Sequence, residues 1–301
     1  MSSTVVVIVV RDRFSMFREC IERLYAHTKY PFRLMIIAGG VDTGTKEYLY
    51  QVRSEKDDCQ LVLGEHILTQ AGARNLALEE SNERFVCILE NDTLVHDDWL
   101  PRMLDCMTAT GAAVVTPLIW WYRGIHTAGG TIIEQEKGGK RGIGHRILYS
   151  GVCRKQIDYP ENHCILIDRE KLPGSDLFHD VEPFDVDLGL TVRRLGLSVF
   201  LEPTAEATYM PSPPLEVCDI LPYKYRWDPD LWETRNRNFQ ERWSVVYDAA
   251  PKLASYHRQQ LKLGLARWYP NKMTVKMSNT NFRVANWLQG IFQGNRRNDE
   301  V

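Results

Sequence analysis

The chain has 301 residues, 44% of them hydrophobic and 25% charged, with a formal net charge of −2. That length can bury one large core plus an appendage, and the near-neutral balance removes the electrostatic case for nucleic acid as a main partner. The seven cysteines (Cys20, Cys59, Cys87, Cys106, Cys153, Cys164, Cys218) are odd in number and contain no C-x-x-C pair, which argues for free thiols against a disulfide framework or zinc site.

Thr4–Val10 is apolar but too short to span a bilayer, and with no cleavage-site pattern behind it the chain reads as cytoplasmic. Val5–Val10 is a β-branched run of the kind buried on both faces of a parallel sheet. Arg11–Asp12–Arg13 ends it. A helix opens near Ser15 with Phe17, Ile21 and Leu24 on one face, and Pro31 turns the chain into a strand over Arg33–Ile37. Gly39–Gly40 and Thr43–Gly44 form a loop before a helix over Thr45–Ser54. Leu61–Leu63 is a short strand, Ala71–Glu80 a helix and Phe85–Leu89 a fourth strand. This alternation predicts a mainly parallel sheet with right-handed crossovers. Its carboxyl-edge loops, Val10–Arg13, Ala38–Asp42 and Glu90–Thr93, should converge on one ligand.

Farther on, Asp97 or Asp98 is expected to cap a helix starting near Trp99, with Pro101 in its first turn. Ala112–Thr116 is another strand. Residues 120–151, rich in glycine and charge, read as a mobile loop or a short antiparallel excursion. Cys164–Ile167 returns to the sheet, Asp187–Leu195 is a helix ended by Gly196, and Val199–Leu201 is a strand closed by Pro203. Pro211, Pro213 and Pro214 mark a boundary between a domain over 1–215 and a helical extension or lid over 216–301. In the extension, Lys262, Arg267, Lys272, Lys276 and Arg283 interleave with apolar residues. That mixture fits peripheral membrane contact or a lid packed on the first domain, and the modest charge favours the lid.

The most telling segment is R-F-V-C-I-L-E-N-D-T, which places Glu90 and Asp92 directly after a buried strand. Two carboxylates there suit Mg²⁺ or Mn²⁺, which bridge protein oxygens to phosphate oxygens. The plain alternative is a turn at Asn91–Asp92 with solvated acids. Gly142–Ile143–Gly144 lacks the third glycine and preceding strand of a dinucleotide fingerprint, and Gly139–Lys140 lacks the rest of a phosphate-binding loop.

Four blocks resemble the family 2 glycosyltransferases: VVVIVVRDRFSMFRECIERL, LTQAGARNLALEE, the E-N-D-T loop followed by W-L-P, and EPFDVDLGLTVRRLGLSVFLEP. The resemblance spans roughly Val5 to Pro203. It implies an α/β fold of GT-A type, a mainly parallel sheet flanked by helices. It also implies an inverting, metal-assisted transfer of a sugar from a nucleotide-diphosphate sugar, a UDP-sugar being favoured, to an acceptor glycan, lipid or small molecule. By the same resemblance Arg11 and Asp12 line the nucleoside pocket, Arg74 meets the nucleotide, and Glu90, Asn91 and Asp92 hold the donor. Glu90 and Asp92 then carry Mn²⁺ or Mg²⁺, and Asp185 is the general base. For Arg74 a solvated helix position is the alternative, and for Asp185 a helix-capping role; Asp187 is assigned the cap.

The chain departs from the family at three places. Ala38 stands where an aspartate contacts the base, and Asp42 either takes over that role or matches only a later loop aspartate. Phe184 replaces the glutamate before Asp185. Tyr209 or Met210 replaces the histidine that often completes the metal site. Trp120, Trp121 and Tyr122 form either a sugar-stacking wall or core, and His163 lies on the acceptor side or is structural. Two rivals stand beside this reading. A nucleotidyltransferase needs a glycine-rich first loop that R-D-R-F does not supply. A sugar-nucleotide-binding protein without turnover is motivated by the three departures.

Overall fold

The structure, a computed structural model, describes residues 3–121, 124–150, 153–210 and 215–268. Every residue of β1 (Thr4–Val9) is buried, as a Val/Ile run covered on both faces must be. Then come α1 (Phe17–His27), β2 (Arg33–Gly39), α2 (Thr43–Glu55), β3 (Cys59–Gly64), α3 (Gln70–Glu79) and β4 (Phe85–Glu90). β1 pairs in parallel with both β2 and β4, and β3 extends the sheet beyond β2. The expected alternation is therefore present, and the ends of β1, β2 and β4 share one edge.

The chain continues through β5 (Thr93–Val95), α4 (Trp99–Thr110), β6 (Val114–Trp121), β7 (Gly124–Thr127), β8 (Gly130–Lys137), β9 (Lys140–Ile147), β10 (Lys155–Ile157), β11 (Cys164–Asp168), α5 (Phe184–Arg194) and β12 (Val199–Tyr209). β11 inserts antiparallel between β4 and β6, giving the order β10-β12-β6-β11-β4-β1-β2-β3. One core layer joins α1 and α4 to the sheet, and a second packs α3 and α5 on the opposite face. Trp99 anchors the first layer, fully buried, with its indole Nε1 donating to Thr28 Oγ1 at 2.9 Å. All seven cysteines are free thiols.

Residues 124–147 form the antiparallel excursion, one of the two expected alternatives, with β8 and β9 joined through Gly138 and Gly139, both at positive φ, where glycine avoids Cβ strain. Three local expectations are corrected. Pro203 does not close its strand: β12 runs on to Tyr209, and a register shift between Glu202 and Glu206 absorbs the residue that has no N–H to donate. Asp98 occupies the N-cap of α4 in the left-handed region without a side-chain cap bond, while Asp97 pairs with His27 at 2.8 Å. Finally, α5 starts at Phe184, so Asp185 and Asp187 sit in its first turn instead of before it. Asp187 is no cap. Its buried carboxylate accepts from Trp243 Nε1 at 2.7 Å and Arg242 Nε at 3.0 Å, and contacts His179 Nδ1 at 3.0 Å.

Trp243 and Arg242 belong to the C-terminal elements: a 3₁₀ turn at Val217–Asp219, α6 (Ile220–Arg226), α7 (Pro229–Trp243), β13 (Val246–Tyr247) and α8 (Ala250–Trp268). These elements reach back to the first loop, where Asp219 accepts from Ser15 N and Oγ at 2.9 and 2.7 Å, and Trp227 Nε1 donates to Asp12 Oδ2 at 2.9 Å. The expected proline boundary at Pro211, Pro213 and Pro214 lies outside the described residues, as do Tyr122 and the tail carrying Lys272, Lys276 and Arg283.

Candidate active site

Glu90 ends β4, and Asn91 and Asp92 form the turn into β5. The amide of Asn91 donates to Val9 O at 2.9 Å, its side-chain oxygen accepts from Arg11 N at 3.1 Å, and its amide nitrogen donates to Arg13 O. Asn91 thus ties the first loop to the fourth strand. Glu90 and Asp92 are each only 3% exposed, which removes the reading of solvated acids on an ordinary turn.

Buried carboxylates need compensation. Glu90 Oε1 receives Arg74 Nη2 at 2.6 Å, and Arg74 is itself fully buried. Arg11 spans the other side: its Nε lies 3.3 Å from Glu90 Oε2 and its Nη1 3.1 Å from Asp92 Oδ2. Burial pushes the Asp92 carboxyl up, against the pull of Arg11, to about 6.

His163, just before β11, comes to the same place. Its Nδ1 lies 2.5 Å from Glu161 Oε1, and its buried Nε2 is 3.8 Å from Glu90 Oε2 with no hydrogen-bond partner among the described residues. Burial works against the charged imidazole, but Glu161 outweighs it and raises its pKa, while Glu161 itself is held low by His163 despite its own burial. One ligand atom each from Glu90, Asp92 and His163 lie within 4.8 Å of one another. Two carboxylates and an imidazole nitrogen without a partner fit a divalent ion, and a carboxylate behind the histidine is the usual means of fixing its ring. Since ligating histidine is neutral, an ion there displaces a proton.

Asp185 lies next to this cluster. Asn162 links the two, its carbonyl accepting from Arg74 Nη2 at 3.3 Å and its side-chain amide donating to Asp185 Oδ1. Burial raises the Asp185 carboxyl well above the usual range, with Glu161 and Glu182 adding to the shift. Tyr209, at the end of β12, has its ring centre 4.6 Å from that of His163, tilted by 54°, and lies 4.7 Å beneath the Arg11 guanidinium. A histidine therefore does complete the set, but it comes from before β11 and packs on the tyrosine found at the end of β12.

The remaining expected residues divide. Asp12 is buried at the first loop, 3.4 Å from Arg13 and bonded to Trp227. Arg74 faces Glu90 inside the protein, neither solvated nor open to the cleft. Asp42 is apart: it caps α2, accepting from Gly44 N and Thr45 N at 3.0 and 3.2 Å. Trp120 Nε1 donates to Glu206 Oε1 at 3.0 Å, whereas Trp121 meets His126 edge-on at 5.9 Å, and His126 in turn meets His163 at 5.4 Å. Glu161, Asn162, His126 and Trp227 were not singled out from the sequence. The E-N-H triplet at 161–163, acid and imidazole two apart before a buried strand, was the available signal for the first two.

A cleft opens beside the acids, lined by Arg11, Ala38 and Gln70 and, from the C-terminal helices, by Tyr225, Arg226 and Arg235. Its floor at Gly39 comes so close to the next loop that an added Cβ would stand 2.1 Å from His66 O.

The family model described as Glycosyl transferase family 2 matches residues 5–172. The glycosyltransferase AglE of Haloferax volcanii is 25% identical over 112 residues, 36% of this chain and 37% of its own length, so the chain covers little more than a third of that relative. Among solved structures, one of GalNAc-T7 with UDP, GalNAc and Mn²⁺ has a TM-score of 0.56 at 11% identity, covering 89% of this chain and 58% of that one. The mannosyltransferase PcManGT from Pyrobaculum calidifontis, in complex with GDP-Man and Mn²⁺, has a TM-score of 0.51 at 14% identity, covering 94% and 80%. At such identities the two structures speak for the GT-A fold alone. No helix among the described residues is long and apolar enough to cross a membrane.

Proposed function

The chain belongs to glycosyl transferase family 2, and on that premise we propose that it is an inverting glycosyltransferase using a nucleotide-diphosphate sugar, with Glu90, Asp92 and His163 as the holders of a divalent ion. The observation that carries this reading is the buried triad at the carboxyl edge of the sheet, with the His163 Nε2 lacking a hydrogen-bond partner among the described residues. When bound, Mn²⁺ or Mg²⁺ neutralises charge developing on the departing diphosphate.

The chain's own residues supply the rest. Arg74 holds Glu90 in place, Glu161 fixes the His163 ring, and Asn91 holds the first loop against β4. Asp185 takes the proton of the acceptor hydroxyl as that oxygen attacks the anomeric carbon from the face opposite the leaving group. Asn162 orients its carboxylate. Trp121 and His126, which meet edge-on, form the acceptor wall. Residues 216–301 act as a lid on the domain over 1–215, their helices α6 and α7 closing one side of the donor cleft. Asp42 is assigned to helix capping and given no part in the donor site.

A UDP-sugar is the first donor to try. Thermal-shift screening of UDP-, GDP-, dTDP- and CDP-sugars with and without Mn²⁺ tests the proposal. One sugar nucleotide should raise the melting temperature, and more so with the ion. No shift with any of them, in either condition, would count against it.

A further inference from the structure

Arg11 touches the two parts of the site at once. Its guanidinium is held against Glu90 Oε2 and Asp92 Oδ2, while the residue also lines the donor cleft. The other oxygen of Glu90 is taken by Arg74, so Oε2, which Arg11 holds and which lies 3.8 Å from His163 Nε2, is the one left to ligate an ion with His163. Ligand oxygens approach a divalent ion to about 2 Å. A guanidinium 3.1 to 3.3 Å from the same atoms competes for their lone pairs and repels the incoming charge. The position is built, not incidental. The Asn91 side chain fixes the Arg11 amide, and the Tyr209 ring supports the guanidinium at 4.7 Å.

We infer that Arg11 is the resident counter-cation of the metal site: it must leave the Glu90–Asp92 pair before an ion binds there, and the donor's diphosphate in the adjoining cleft draws it away. This rests on the metal reading of the Glu90–Asp92–His163 group. The consequence is a positive and reciprocal coupling, in which nucleotide tightens the ion and the ion tightens nucleotide. Without donor the site is self-neutralised and weak for metal.

The test is calorimetric titration of the full chain with Mn²⁺, first alone and then with UDP and with GDP, on wild type, Arg11→Gln, Arg11→Lys and Asp92→Asn. If the docked arginine is populated nine to one or more, Arg11→Gln should bind Mn²⁺ alone about tenfold tighter or better than wild type. Arg11→Lys, which keeps the charge, should stay weak. The tightening by nucleotide seen in wild type should shrink in Arg11→Gln to what direct attraction between ion and diphosphate supplies. Because that variant strands two buried acids, its melting temperature is measured too. It should melt lower without Mn²⁺ and gain more from the ion than wild type does. Equal or weaker Mn²⁺ binding by Arg11→Gln, or no larger gain in melting temperature, overturns the inference. If wild type binds Mn²⁺ and Asp92→Asn does not, that failure touches Arg11 alone. If no form binds Mn²⁺ under any condition, the metal reading falls and the inference with it.

Discussion

Replacing Arg74 by Met removes a positive charge from the most deeply buried ion pair of the site. Arg74 is fully buried, its Nη2 is 2.6 Å from Glu90 Oε1, and its guanidinium lies 5.0 Å from the centre of the Phe184 ring. Methionine keeps most of the volume, so the cost is chiefly that of a buried carboxylate losing its partner, about 3–5 kcal/mol. Arg11 still stands 3.3 Å from the second oxygen of Glu90, which places the expectation at the lower end, near ~3 kcal/mol. For a chain of this size that is a fall of roughly 5 °C in Tm. Urea denaturation at neutral pH measures it, and adding Glu90→Gln should recover much of the loss, since the pair is coupled. A loss under about 1 kcal/mol, well below the range for a broken buried pair, together with a large fall in nucleotide affinity would put Arg74 on the donor and refute the assignment.

Asp185→Asn should keep donor binding and lose on the order of 10²–10⁴ in transfer rate. Because burial, Glu161 and Glu182 raise the Asp185 carboxyl, and the base works ionised, kcat/KM should fall on its acid side at a pH above the ordinary carboxylate range. An active Asp185→Asn enzyme would remove the base from this position. His257, 3% exposed and ringed by Trp227 and Trp232, is pushed down to about 2 by burial and by Arg226 and Arg235. It stays neutral in the fold, while in the unfolded chain it takes a proton below about 6.5. Its contribution to stability is therefore complete above that pH and lost as pH falls, by about 1.4 kcal/mol per unit or roughly 2 kcal/mol by pH 5. Relative to wild type, His257→Phe should flatten stability over this range, and parallel curves for the two proteins would contradict the argument.

The first half of the sheet was legible because its signals are local. The Val5–Val10 run, the periodic face of α1 and the break at Glu90–Asp92 each declare themselves within a few residues. The acid pair of the site was legible for the same reason. What escaped depends on contacts remote in sequence. The facing of Arg74 is decided by Glu90 on another element, so its helix pattern reads equally well as solvated or ligand-binding. His163 joins Glu90 and Asp92 only because β11 inserts antiparallel beside β4. Its sequence position pointed to the acceptor side. Asp42 caps α2, and Asp187, taken for a cap, binds α5 to α7. Pro203 misled because a bulge can carry a proline that a regular ladder cannot.

The central claim is that Glu90, Asp92 and His163 hold the ion that lets Asp185 deliver an acceptor to a nucleotide sugar. The direct measurement is release of nucleoside diphosphate from the sugar nucleotide that binds best, with Mn²⁺ and after chelation, in wild type and Asp92→Asn. Wild type should release nucleoside diphosphate in a Mn²⁺-dependent way, and Asp92→Asn should lose that release with the fold retained. Equal release by both proteins, or release unaffected by chelation, would contradict it.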